Sequence, residues 1–165
     1  MERRFIEFDL MDMFKRIIYK IAYPIARLYW FIFRPLSFGV KCVVECDGQI
    51  LLVKNSYTRT NQWTFPGGGI KNNEDRITAV KREIKEETGI ILSNPKYLGN
   101  FFTEQEYKRD TVYVFSETVP NKDIKTETSE ILEAKWFNKN ELPPILSPSV
   151  SKVLKIYFDN NVTEK

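Results

Sequence analysis

Hydrophobic and polar positions change period along the 165-residue chain. Between Met11 and Phe33 the apolar residues Phe14, Ile17, Ile18, Ile21, Ile25, Leu28 and Ile32 recur at helical spacing. Arg16, Lys20, Arg27 and Arg34 fall on another face. The pattern predicts a basic amphipathic helix, bent or divided at Pro24. It is too interrupted to span a bilayer: the longest charge-free runs, 21–26 and 28–33, hold six residues each, against the roughly 20 that a membrane core demands. Charges through the apolar part also argue against a signal peptide. Three roles stay open for this arm: packing on the body, pairing in a homodimer, or peripheral contact of residues 11–34 with an anionic membrane surface.

After Pro35 the period shortens to two. Gly39–Glu45 and Gln49–Lys54 alternate as strands, and Asp47-Gly48 between them is a hairpin signal. A short strand follows at Trp63-Thr64-Phe65, then Pro66-Gly67-Gly68-Gly69. Residues 74–88 return to helical spacing, with Asn73 as the expected N-cap, Glu74 and Asp75 suiting the positive end, and Gly89 at the C-terminal turn. Further strands are expected at Tyr97–Thr103, Thr111–Thr118 and Ala134–Phe137, and a helix from about Pro148 to Tyr157. Strands and helices mixed without regular alternation give an α+β layered sandwich. The chain divides into an arm, residues 1–37, and one domain, residues 38–165.

Charge sharpens that division. The net charge is +3, yet residues 38–165 hold 18 basic and 18 acidic residues, so the whole surplus lies in the arm. No DNA-binding surface is indicated. The absence of histidine removes Ser/His and Cys/His nucleophile pairs, His-ligated zinc and imidazole acid–base steps. Cys42 and Cys46 stand four residues apart in an alternating stretch. Their Cα atoms would lie ~13 Å apart on a strand, beyond the ~7 Å that a disulfide tolerates. Free thiols suit a reducing, cytoplasmic setting.

The helix at 74–88 carries the candidate chemistry. Glu83, Glu86 and Glu87 fall at i, i+3 and i+4, on one face within about a turn. Ile77, Val80 and Ile84 form a separate apolar stripe suited to a core. The Glu83/Glu87 pair repels, costing an isolated helix roughly 0.2–0.5 kcal/mol. A divalent cation would remove that repulsion, and clustered carboxylates are what magnesium or manganese prefers. Taken alone, the same residues also suit a solvated acidic face, with Arg82–Glu86 as an ordinary i,i+4 pair.

From Gly68 to Ile90 the chain reads Gly-x5-Glu-x7-Arg-Glu-Ile-x-Glu-Glu-x-Gly-Ile. This resembles the Nudix box at every defined position, a match far beyond coincidence at ordinary residue frequencies. Trp63–Gly67 resembles the strand that delivers the box. Glu133–Phe137 with Glu141-Leu142-Pro143 resembles the strand-to-helix stretch near the end of many members. The resemblance covers about residues 38–157 and implies a Nudix-like α/β/α sandwich with a mixed sheet.

It also implies a hydrolase that cleaves a diphosphate bond, by means of Mg2+ or Mn2+, in a nucleotide or a nucleoside diphosphate linked to another moiety. Glu83, Glu86 and Glu87 would be the principal metal ligands, joined by the Gly67 carbonyl. Glu83 or Glu86 would take a proton from the attacking water, and Glu130 matches an additional metal-binding or basic glutamate of some members. Gly68, Glu74, Arg82 and Gly89 would support the site. Where some ADP-ribose-hydrolysing members carry a proline the chain has Gln105, whereas Tyr107 stands where some diadenosine-polyphosphate-hydrolysing members place a tyrosine. Tyr57, Phe101 and Tyr107 are the candidates for stacking on a base, a role that strand aromatics share with ordinary core packing. The alternatives are a catalytically silent nucleotide-binding or regulatory module, and a membrane-peripheral adaptor built on the arm.

Overall fold

A computed structural model describes residues 22, 36–56, 61–103, 109–126 and 130–162. The helix expected at 11–33 lies, but for residue 22, outside the described residues, as do Tyr57, Gln105 and Tyr107. Strands β1 (Leu36–Cys46) and β2 (Gln49–Asn55) are joined by Asp47-Gly48. Both turn residues have positive φ, 47° and 74°, as the tightest hairpin turn requires. Then follow β3 (Trp63–Thr64), α1 (Arg76–Thr88), β4 (Lys96–Thr103), β5 (Arg109–Thr118), β6 (Ile131–Asn138) and α2 (Pro148–Val162).

Every element expected after Pro35 is present, and the informative difference is where α1 begins. Asp75, not Asn73, is its N-cap: the Ile77 and Thr78 amides donate to Asp75 Oδ1 at 2.9 and 3.0 Å. Asn73 sits two residues earlier at φ 63°, a left-handed conformation that asparagine tolerates. The Gly89 φ of 74° and its amide bond to the Lys85 carbonyl close the helix as expected.

The sheet is mixed, in the order β3-β2-β1-β5-β4, with β6 on the far edge of β2. The β1–β5 pair is parallel over Leu36–Glu45 and the other pairs are antiparallel. β1 and β2 pair only beside their turn, at Glu45↔Ile50 and Cys46↔Gln49, and then part. The glycine segment enters the opening. Cys42 N donates to the Pro66 carbonyl at 3.1 Å, Val40 N to the Gly68 carbonyl at 2.9 Å, and Ile70 N to the Phe38 carbonyl at 2.9 Å. The segment therefore continues the sheet along β1 and satisfies main-chain groups that the parting strands would leave bare.

One helix covers each face. Val40, Cys42, Val44 and Leu51 pack with Ala79, Val80 and Ile84 of α1, while Val43, Ile50, Leu52 and Phe65 pack with Val150, Val153 and Tyr157 of α2. The period-two alternation of β1 and β2 divides their side chains between these two cores. Ile77 does not join the stripe with Val80 and Ile84. It is 50% exposed and Ala79 is buried instead, because the first turn of α1 faces Phe38 and Tyr113 across an open cavity. Cys42 and Cys46 are free and buried in the α1-side core. Among the described residues no helix is long and apolar enough to cross a membrane.

Candidate active site

Arg82 organises the acidic face of α1. Its Nε and one terminal nitrogen donate to the two oxygens of Glu74, at 2.7 and 2.8 Å. The same terminal nitrogen donates to the Gly69 carbonyl at 3.0 Å, and the other reaches Glu83 at 2.7 Å and Glu86 at 3.2 Å. All five guanidinium donors are thus used. The forked bond to Glu74 is the geometry that arginine makes best. Together with the Lys71 amide at 2.9 Å, Arg82 holds the Glu74 carboxyl down to about 2. Glu74 is consequently an anion at every working pH, and it fixes the guanidinium that orients Glu83 and Glu86.

Glu87 faces the other way, into the protein. It is 5% exposed, and its Oε2 accepts the Gly67 amide at 2.7 Å. Burial pushes its pKa up to about 7, against the pull of the Lys41 charge and the Gly67 amide. Gly67 has φ 128°, and a Cβ there would stand 2.3 Å from the Val40 carbonyl. A Cβ at Gly68 would stand 2.5 Å from Glu83 Oε2, the far end of a side chain and not main chain. The two glycines therefore let the main chain lie between β1 and the carboxylates.

Lys41 completes the group. Its ammonium donates to the Phe65 carbonyl at 2.7 Å and to the Gly67 carbonyl at 2.8 Å. No family motif singles out Lys41. Its signal in the sequence is a charged residue between Val40 and Cys42, in a strand flanked on both sides of the sheet. Glu130 arrives just before β6, where its carbonyl accepts the Ser56 amide at 2.7 Å. Its charge raises the proton affinity of both Glu83 and Glu87, so the structure brings Glu130 to the α1 carboxylates. Burial is the main cause of the upward shift at Glu83. Glu86, with half of its side chain exposed, borders solvent.

Oxygen is the only donor type that this group offers, from four carboxylates and two main-chain carbonyls, which fits a hard divalent cation. Crowded carboxylates, one of them buried with its pKa pushed up to about 7, also fit a place where positive charge is wanted. Among the described residues the side chains do not converge on one point as ready ligands: Arg82 engages Glu83 and Glu86, and the Gly67 amide engages Glu87.

The remaining candidates lie apart. Phe101 packs against the α2-side core with the Lys152 ammonium 5.4 Å from its ring centre, and Gly89 closes α1 beside Lys125. A cavity of about 630 Å³ at the start of α1 is lined by Phe38, Ile70, Ile77 and Tyr113 together with residues 71–76. It contains none of Glu83, Glu86, Glu87 or Glu130.

Comparison with known proteins agrees with this geometry. The NAD-capped RNA hydrolase NudC of Vibrio vulnificus is 31% identical over 102 residues, which are 62% of this chain and 38% of that protein. The diphosphoinositol polyphosphate phosphohydrolase 3-beta of Bos taurus is 32% identical over 103 residues, 62% of each chain. The chain thus spans about two-fifths of the first of these relatives and under two-thirds of the second. Among solved structures, a MutT protein from Methanosarcina mazei superposes with a TM-score of 0.67 at 26% identity, over 78% of this chain and 97% of that one. The NUDIX domain family model matches residues 34–156. That span takes in β1 to most of α2 with the whole glutamate face between them, and the chain belongs to the NUDIX domain family.

Proposed function

We propose that the chain hydrolyses a diphosphate bond in a nucleotide, or in a nucleoside diphosphate joined to another group, with Mg2+ or Mn2+ held by Glu83, Glu86 and Glu87 and with Glu130 beside them. The observation that carries this reading is the placement of Glu87 on the Gly67 amide and of Glu83 beside Gly68, with the charge of Glu130, from a distant part of the chain, acting on both. A relative that hydrolyses NAD-capped RNA and another that is a phosphohydrolase support the same reaction class. A purely binding module would have no use for three clustered carboxylates held against their repulsion.

A divalent ion held by these residues would neutralise the substrate's phosphate oxygens and lower the pKa of water. The chain's own residues do the rest. Arg82 keeps Glu83 and Glu86 on the same side of α1 as the Gly68 main chain. Glu83 or Glu86 accepts the proton of the attacking water. Glu86 has the solvent access that this requires, and Glu83 the raised proton affinity that favours a general base near neutral pH.

Glu86→Gln keeps the size of the side chain and removes the charge, so the fold should persist while turnover falls by about 10²–10⁴-fold. A metal-supplemented screen over dinucleoside polyphosphates, nucleotide sugars, ADP-ribose, NADH, nucleoside triphosphates and capped RNA would find the substrate. Unchanged turnover by the variant on that substrate would refute the assignment. For the arm we propose burial of its apolar stripe within the protein, on the body or against a second copy. Exposed Phe38 and Ile77, near the point where the arm joins β1, offer a surface of matching character.

A further inference from the structure

We infer that the Lys41 ammonium is a resident cation of the carboxylate site, taking the position at the Gly67 carbonyl that a divalent ion would otherwise fill and so lowering by one the number of ions bound. The inference rests on the hydrolytic reading above and deepens it. Two main-chain carbonyls, of Phe65 and Gly67, converge on one point, and Lys41 Nζ stands there at 2.7 and 2.8 Å. Convergent carbonyls beside carboxylates are a hard-cation environment. This chain fills it with a side chain. Gly67 is held at both ends of its peptide groups, its amide by Glu87 and its carbonyl by Lys41, so that one residue couples the buried anion to the ammonium. The charges of Glu87 and Glu83 both act on Lys41.

The placement is specified by the strand and not by a wandering surface side chain. Lys41 belongs to β1, which pairs with β5 along one edge and with the glycine segment along the other. Its neighbours Val40 and Cys42 anchor the α1-side core, which fixes the strand from which Lys41 reaches the Phe65 and Gly67 carbonyls. A lysine in such a strand is costly unless its donors are satisfied, and two of its three are satisfied by main-chain oxygens that do not move with side-chain rotamers. A fixed positive charge in that position repels a further cation and occupies one acceptor site of the Gly67 carbonyl.

The test is the number of Mn2+ ions bound per full-length chain, read from the loss of the free-ion electron paramagnetic resonance signal. Lys41→Gln removes the charge and keeps a hydrogen-bonding head, and it should bind one ion more than the unaltered chain. Lys41→Arg keeps the charge and should retain the original number. If Lys41→Gln does not fold, as judged by circular dichroism, Lys41→Met carries the same expectation with the stem's packing intact. An unaltered chain that binds Mn2+, with the same number in the glutamine or methionine variant, overturns this inference and leaves the hydrolytic reading in place. A gain of an ion in the arginine variant as well would overturn the charge argument. No binding by any of these proteins would overturn both readings together.

Discussion

Glu87 keeps a carboxylate beneath the protein surface on the strength of one amide and one nearby ammonium, and its proton affinity reports the strain of doing so. The unfolded side chain ionises near 4.5 and the folded one near about 7, so between these values the folded chain holds a proton that the unfolded chain has lost. Its effect on stability is nil below about pH 4.5, grows as the pH rises, and is fully present above 7 as a penalty of roughly 3 kcal/mol. Metal binding has the opposite slope, because a ligand must first lose its proton. The affinity for Mn2+ should therefore rise about tenfold per pH unit up to 7 and level off above it, a trend that calorimetry at several pH values would record. An affinity that stays flat between pH 5.5 and 7.5 would contradict the assignment of Glu87 as a ligand. At this scale the sequence exposes the helical triad, since i, i+3 and i+4 spacing is local. It conceals Lys41 and the Gly67 amide, whose bonds to the site span 20 or more positions and depend on how β1 meets the glycine segment.

Two adjacent glycines of one element have different work, and their replacement separates fold from chemistry. At Gly67 an added methyl meets main chain, the Val40 carbonyl at 2.3 Å, and the φ of 128° is itself unfavourable for other residues. Gly67→Ala should lose about 2–4 kcal/mol of stability through backbone strain and overlap. At Gly68 the methyl meets the flexible end of Glu83. Gly68→Ala should remain near the parental melting temperature, because Glu83 can swing aside, yet lose most of its activity. Thermal denaturation alongside turnover measures both, and equal stability losses in the two variants would contradict this division. The elements themselves were readable because their periods differ, 2.0 against 3.6. The start of α1 was not, because Asn73, Glu74 and Asp75 are all acceptable near a helix N-terminus. What distinguishes them is tertiary. Glu74 is committed to Arg82 and Asn73 to the left-handed turn, which leaves Asp75 as the cap.

For the molecule as a whole, the expected layers are those observed, one helix on each side of a mixed sheet. Alternation along β1 and β2 made that arrangement readable, whereas the exposure of Ile77 depends on a cavity that no periodicity encodes. The excess positive charge sits in the arm while the body is balanced. Removal of residues 1–35 should therefore leave hydrolysis in place but lower the melting temperature or shift a dimer to a monomer, by differential scanning calorimetry and sedimentation. Unaltered stability and assembly, with loss of sedimentation on anionic vesicles, would assign the arm to a lipid surface instead.

The early parting of β1 from β2 has one more consequence. Because main-chain bonds knit the Pro66–Ile70 stretch to β1, the glycines that meet Glu83 and Glu87 are mounted on the sheet itself. A substitution that shifts β1 should therefore disturb the glutamate face as well, even from a position that touches none of its carboxylates.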